Sequence, residues 1–116
     1  MESDFLNMEI DEATSSLNSD EAVSLIEKFF EKEISGLSLI QKYNNPNGYY
    51  GLKYTNEICT ILIGSGRGFL DAYVDLEGEK FPLWKLDKKI NSKIILNQNN
   101  ILYILYAIKD FLQNTN

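Results

Sequence analysis

The glycine-rich stretch IGSGRGFLD, residues 63–71, is the part of the sequence whose composition could hold a phosphate group. Such loops bind phosphate when they lead into a helix, because the free N–H groups of its first turn hold the anion. Here the glycines lead into FLDAYVDL, which alternates apolar and polar residues with the period of a strand. Gly66 is followed by Arg67 and not by the lysine of a phosphate loop. The stretch therefore indicates a hairpin in which glycines supply positive-φ positions.

Little else in the sequence is typical of a catalytic or metal site. The chain has no histidine, which removes the usual general base, the Ser-His and Cys-His pairs and most zinc sites. Its single cysteine, Cys59, lies in the apolar run ICTIL, so we expect a small buried side chain rather than a reactive thiol. The carboxylates do not have the spacing of metal ligands. We therefore expect no enzymatic activity, no cofactor and no bound metal.

The residues Asp71, Tyr73 and Asp75 share one side of the predicted strand FLDAYVDL and form an aromatic–acidic stripe. Asp71 and Asp75 would lie about 13 Å apart at the rise of a strand, too far to share a proton. The stripe, which Glu77 and Glu79 extend into the following turn, could instead accept lysines and arginines of a partner, with Tyr73 as the anchor. An ordinary solvated sheet face is the alternative.

Three further charged residues are candidates for contact with a partner. Arg67 is the only arginine of the chain, and its guanidinium could hold a carboxylate with two hydrogen bonds or simply be solvated. Glu27 and Glu31 lie on the polar side of a predicted first helix and form a second candidate surface.

The charge is concentrated at the beginning of the chain. Residues 1–36 contain ten acidic and two basic residues, a net charge of −8, whereas residues 37–116 contain seven acidic and nine basic residues, a net charge of +2. An acidic surface attracts basic proteins and repels nucleic acid, although it can also serve solubility alone. No apolar run reaches the roughly 20 residues of a membrane span, and no basic leader is visible. We therefore expect a cytoplasmic protein with no membrane or nucleic-acid partner.

Two helices are predicted near the ends of the chain. The first lies within LNSDEAVSLIEKFFEKEISG, where Asn18 or Ser19 can cap the first turn. The second covers about residues 98–113 and can be capped by Asn97 or Asn99. The apolar residues of the first helix recur at helical spacing. They are Ala22, Val23, Ile26, Phe29, Phe30 and Ile34.

Between the helices, five strands are predicted, with Asn47-Gly48 as the strongest hairpin turn. In the last strand, Pro82 favours an edge position, and Trp84 is expected at the core or its rim. The sequence predicts one α+β domain over residues 1–116: an antiparallel meander of about five strands flanked by an N-terminal and a C-terminal helix. Residues 1–17 form an acidic arm or a short helix. The five strands are LSLIQKY, YYGLKYT, ICTILIG, FLDAYVDL and FPLWKL.

Residues 48–86 carry motifs that point to a family. They are the strand GLKYTN, the turn SGRG followed by DAYV, and the strand WKL. With these motifs the segment resembles small bacterial immunity proteins of toxin–immunity loci, including those of contact-dependent growth inhibition. The resemblance implies a non-enzymatic protein that binds and blocks one cognate toxin, often a nuclease.

The sequence therefore predicts an immunity protein, a monomer or weak dimer, that neutralises a basic nuclease toxin by electrostatically steered binding. A secretion chaperone is the alternative. It would also be small, acidic and α+β, and it would hold an unfolded effector segment on the apolar grooves of a dimer.

Overall fold

The structure is a computed structural model that describes residues 19–44, 49–66, 69–87, 94–95 and 97–114. It confirms the predicted α+β class, with an antiparallel meander and a helix at each end of the described chain. The elements are α1 (Ser19–Glu33), β1 (Ser38–Asn44), β2 (Tyr50–Thr55), β3 (Cys59–Gly66), β4 (Phe69–Leu76), β5 (Glu79–Pro82), α2 (Leu83–Leu86), β6 (Ile94–Ile95) and α3 (Gln98–Asn114).

The sheet follows the order of the chain. The first five strands run β1-β2-β3-β4-β5, each antiparallel to the next, and β6 pairs with the start of β4, where Phe69 lies opposite Ile95. The core lies between one face of this sheet and the helices, and all six apolar residues predicted for α1 are buried in it. Phe30 stacks on Tyr54 of β2, with ring centroids 3.8 Å apart. Helical periodicity alone was therefore enough to find the buried side of α1.

The predicted last strand is wrong in its second half. FPLWKL leaves the sheet at Pro82, and residues Leu83–Leu86 form the short helix α2. Proline ends the ladder because it has no N–H to donate, and its fixed φ suits the start of a helix. Leu83 is buried, whereas Trp84, expected at the core or its rim, is 61% exposed. Pro82 does lie on an edge strand, as predicted, because β5 pairs only with β4 among the described strands.

Local hydrogen bonds and one glycine mark the ends of several elements, and one of them is at a predicted cap. The Asn97 side chain caps α3, its Oδ1 accepting a hydrogen bond from the backbone N–H of Asn100 at 2.8 Å. Gly36 follows the end of α1 with a φ of 85°, a value that favours glycine. Between β2 and β3, Asn56 Oδ1 accepts hydrogen bonds from the backbone N–H groups of Ile58 and Cys59. The predicted turn at Asn47-Gly48, residues Arg67 and Gly68 of the glycine-rich stretch, and the arm at residues 1–17 lie outside the described residues.

The glycine-rich stretch is part of a hairpin, but its glycines do not all serve the turn. Gly64 and Gly66 belong to strand β3. A Cβ atom at Gly64 would lie 2.4 Å from the carbonyl oxygen of Tyr50 and 3.0 Å from Gly51 Cα, so this position needs glycine for space between two strands. The prediction that the glycines supply turn conformations is therefore wrong for Gly64. Among the described helices, none is both long and apolar enough to cross a membrane.

Candidate protein-binding surfaces

One face of the sheet carries none of the described helices, and we call it the open face. Residues directly opposite each other on paired strands share a face, so the register of the sheet defines its members. Asp71, Tyr73 and Asp75 alternate with the buried Leu70, Ala72 and Val74, and the three predicted stripe residues therefore do lie together. The open face comprises Ser38, Gln41, Tyr43, Lys53, Thr55, Thr60, Leu62, Phe69, Asp71, Tyr73, Asp75, Lys80 and Pro82.

Tyr73 lies at the centre of the open face. It is directly opposite Leu62 on β3 and Pro82 on β5, so an apolar row spans strands β3, β4 and β5 here. The Lys80 ammonium lies 4.3 Å from the centroid of the Tyr73 ring, a cation–π contact. Tyr73 is half-buried by these neighbours, and its ring is held in place on a surface that the described chain leaves uncovered.

The charges of the open face balance within the described residues. Asp71 and Asp75 are accompanied by Lys53 and Lys80, which the sequence pattern did not bring to this face. Strand alternation places the two aspartates on one side of β4, but only the register of neighbouring strands places the lysines beside them. The face is therefore a mixed, aromatic surface and not a purely acidic one.

Both aspartates of the stripe also stabilise local backbone. Asp75 Oδ1 accepts a hydrogen bond from the N–H of Gly78 at 3.0 Å in the β4–β5 turn, where Glu77 and Gly78 have φ values of 51° and 93°. Two positive φ values are typical of a type I′ hairpin turn. Asp71 Oδ1 accepts a hydrogen bond from the N–H of Ala72 at 2.9 Å. Glu77 is exposed at the tip of this turn, at the end of the stripe.

Tyr43 is an open-face residue that the sequence reasoning missed. It is 50% exposed, and its ring lies over Gly51 on the neighbouring strand. A Cβ atom at Gly51 would come within 2.5 Å of the Tyr43 ring. An aromatic residue opposite a glycine was the available signal, but it can be seen only when the register of β1 and β2 is known.

The second predicted surface lies on the opposite side of the sheet. Glu27 on α1 forms an ion pair with Lys42 of β1 at 3.3 Å, and Asp20 accepts a hydrogen bond from the Asn44 side chain at 2.6 Å. Glu31 is exposed one helical turn after Glu27. Asp20, Glu27 and Glu31, which we call the helix carboxylates, form a stripe along the side of α1 that borders β1. The structure therefore does not join Glu27 and Glu31 to the stripe of β4.

Tyr54 of β2 lies within the electrostatic influence of two helix carboxylates. Burial raises the pKa of Tyr54 to about 12, with further contributions from the negative charges of Glu27 and Glu31. A negative charge nearby disfavours the phenolate, so both glutamates act electrostatically on a residue of β2. Arg67, the remaining predicted contact residue, lies outside the described residues.

A cavity of about 300 Å³ opens beside Cys59, between the end of α1, the end of α3 and the β2–β3 turn. The Glu33–Lys109 ion pair, with a distance of 2.6 Å, lines it, and the exposed Ile58 lies at its edge. Burial, and secondarily the charge of Asp75, raises the pKa of the Cys59 thiol, which disfavours the reactive thiolate. The expectation of a small buried cysteine is confirmed.

Within the described segments, no group of three or more histidine, cysteine, aspartate or glutamate side chains could hold a metal ion. Comparison of the chain with protein-family models, curated proteins and solved structures finds no match. The function is therefore inferred from the chemistry of the surfaces alone.

Proposed function

We propose that this protein is a cytoplasmic immunity protein that binds a cognate bacterial toxin and blocks its active surface. The observation that carries the proposal is the open face, where Tyr73, Leu62 and Pro82 form an apolar row between Asp71, Asp75, Lys53 and Lys80. A half-buried aromatic ring flanked by charges of both signs is the composition of a protein interface, in which the aromatic residue supplies affinity and the charges supply specificity.

The acidic residues 1–36 would act on the approaching toxin, before the two proteins are in contact. A nuclease toxin needs a basic surface to hold phosphates, and the −8 charge of residues 1–36 would attract it at a distance. At short range, Tyr73 would be the anchor, with Asp71 and Asp75 accepting basic side chains of the toxin. Glu77 would lie at the rim, and Arg67 on the β3–β4 connection would pair with a carboxylate. Occupation of the toxin's substrate surface is sufficient for inhibition, without any chemical step.

The proposal can be tested by co-purification with the product of the neighbouring toxin gene and by measurement of affinity at several salt concentrations. The double variant Asp71→Asn/Asp75→Asn removes both charges but keeps the side-chain oxygens that accept the backbone hydrogen bonds. We expect weaker binding and a shallower salt dependence, because charged rim contacts act mainly through association. Tyr73→Ala should cost about 2 kcal/mol or more of binding free energy, the effect of an interface anchor.

The matched control is Glu57→Gln/Glu79→Gln, which makes the same charge change at exposed positions outside the open face. If the control weakens binding as much as the aspartate variant, the open face is not the contact surface. If no neighbouring toxin binds at all, the immunity function itself is excluded.

The secretion chaperone remains the second candidate because apolar side chains are exposed on β1. Ile40 is 57% exposed and Leu39 and Tyr43 lie beside it on the same strand. A chaperone would cover such residues in a stable homodimer and would bind an unfolded effector segment. Sedimentation equilibrium separates the two functions: a tight dimer without a toxin partner supports the chaperone, and a monomer that binds toxin supports immunity.

A further inference from the structure

Strand β1 is an unusually open edge of the sheet. All seven of its residues are exposed, on both faces. Among the described strands it pairs only with β2, so its outer edge presents backbone N–H and C=O groups to solvent. A register shift between Leu39 and Gln41 places a bulge at Ile40, which leaves Gln41–Asn44 as the regular part of the edge.

The helix carboxylates Asp20, Glu27 and Glu31 lie beside this edge. Residues 20, 27 and 31 recur at helical spacing and so share one side of α1. Two of them contact β1 directly, through Lys42 and Asn44, whose side chains point to the helix side of the strand. Lys42 offsets one of the three negative charges. An unpaired strand edge and a surplus of negative charge therefore lie side by side at β1 and α1.

We propose that β1 and the helix carboxylates form a docking site for an extended basic segment of a partner protein, which adds to the sheet as a further strand. Side chains of an added strand alternate between the two faces. Lysines or arginines at alternate positions would meet the helix carboxylates, and the intervening residues would pack near Tyr43. This inference deepens the proposed function by naming the chemistry of one partner segment, and it rests on that function only for the identity of the partner.

Charge selects this occupant over a second copy of the chain. Pairing of two β1 strands around a two-fold axis would bring two sets of helix carboxylates together, and like charges at close range oppose association. The net charge of −6 adds to this repulsion. A basic strand would neutralise the helix carboxylates, whereas a second copy would bring more negative charge close to them.

The test uses the full chain, labelled with ¹⁵N, and a synthetic peptide that alternates lysine and valine. We expect amide shift changes at residues 38–44 and slower hydrogen exchange of the outward N–H groups of β1, because these groups become hydrogen-bonded. A peptide with the same charges but N-methylated alternate amides is the control, since it cannot form the ladder. Equal binding of both peptides, or shifts spread over all acidic residues without slower exchange, would mean charge attraction alone and would overturn the proposal.

A matched pair of variants locates the site. Glu31→Lys should weaken peptide binding roughly fivefold or more, because an attractive contact becomes repulsive. Glu79→Lys makes the same charge change on β5, at the other end of the strand order, and should have a smaller effect. Equal effects of the two variants, or protection of β1 in a concentrated sample without peptide, would contradict the proposal. Failure here leaves toxin binding by the open face standing, since no toxin is present in this experiment.

Discussion

Tyr50 and Ser65 lie opposite each other on strands β2 and β3, and both are buried. Neither hydroxyl has a hydrogen-bond partner among the described residues. A buried hydroxyl without a partner loses its hydrogen bonds to water and gains nothing in return, so it lowers the stability of the fold. The tyrosine ring itself is fully buried and contributes to the core. The ring of Tyr50 therefore stabilises the fold, whereas its hydroxyl lowers the stability of the fold.

Removal of the Tyr50 hydroxyl tests this balance. We expect Tyr50→Phe to leave the free energy of unfolding unchanged or to raise it by about 1 kcal/mol, because the ring is kept and an unpaired group is removed. Urea denaturation provides the measurement. Tyr103→Phe is the matched control, since the Tyr103 hydroxyl donates a hydrogen bond to Asp87, and its loss should cost about 1–3 kcal/mol. A comparable loss in Tyr50→Phe would show that its hydroxyl has a partner.

At the scale of the elements, the paired glycines Gly51 of β2 and Gly64 of β3 make space for different neighbours. The obstacle to a side chain at Gly64 is backbone, the carbonyl oxygen of Tyr50, which cannot move without disrupting the strand. The obstacle at Gly51 is the outer part of the Tyr43 ring, a half-exposed side chain that can rotate away. The two glycines therefore differ in what their replacement would disturb.

We expect Gly64→Ala to lower the free energy of unfolding by about 1–3 kcal/mol or more, the usual cost of overpacking. Gly51→Ala should cost less and should shift the NMR resonances of Tyr43, because its ring must leave the position over β2. Thermal unfolding monitored by circular dichroism, together with two-dimensional NMR, would measure both. Equal destabilisation by the two substitutions would contradict the view that only Gly64 is required for strand spacing.

At the scale of the whole molecule, the buried tyrosines make stability depend on alkaline pH. Burial raises the pKa of Tyr54 to about 12 and raises the pKa of Tyr50 and Tyr103 above the ordinary tyrosine value. The ordinary value is about 10 in an unfolded chain. The neutral phenol is therefore favoured by folding. This contribution is fully present below about pH 10 and is lost as the pH rises through the pKa values of the folded state.

We expect the free energy of unfolding to fall between pH 10 and 12, by up to about 1.4 kcal/mol per pH unit for each tyrosine that ionises on unfolding. Urea denaturation at several pH values, with tyrosinate absorbance as the second observable, would measure this fall. Tyr54→Phe should make it less steep, whereas Tyr49→Phe, at an exposed position, should not change it. If the free energy of unfolding falls equally steeply with pH in Tyr54→Phe, the buried phenol of Tyr54 is not a cause of the fall.

Local pattern in the sequence was sufficient for much of this protein. Helical spacing identified the buried side of α1, alternation placed Asp71, Tyr73 and Asp75 on one face, and residue type limited the cap of α3 to Asn97 or Asn99. These features depend on neighbours a few residues away, where the period of 3.6 or 2 already decides which side chains share a side.

Register and layering were decided only by the tertiary structure. Lys80 over Tyr73, the ion pair of Lys42 with Glu27, and the steric need for Gly64 all join residues of different elements. The register of each pair of strands depends on the packing of the whole core. A shift by one residue would turn every side chain of a strand to the other face. For that reason the sequence alone determined the buried sides of α1 and β4, and the fold decided which charges and aromatic rings meet at its surface.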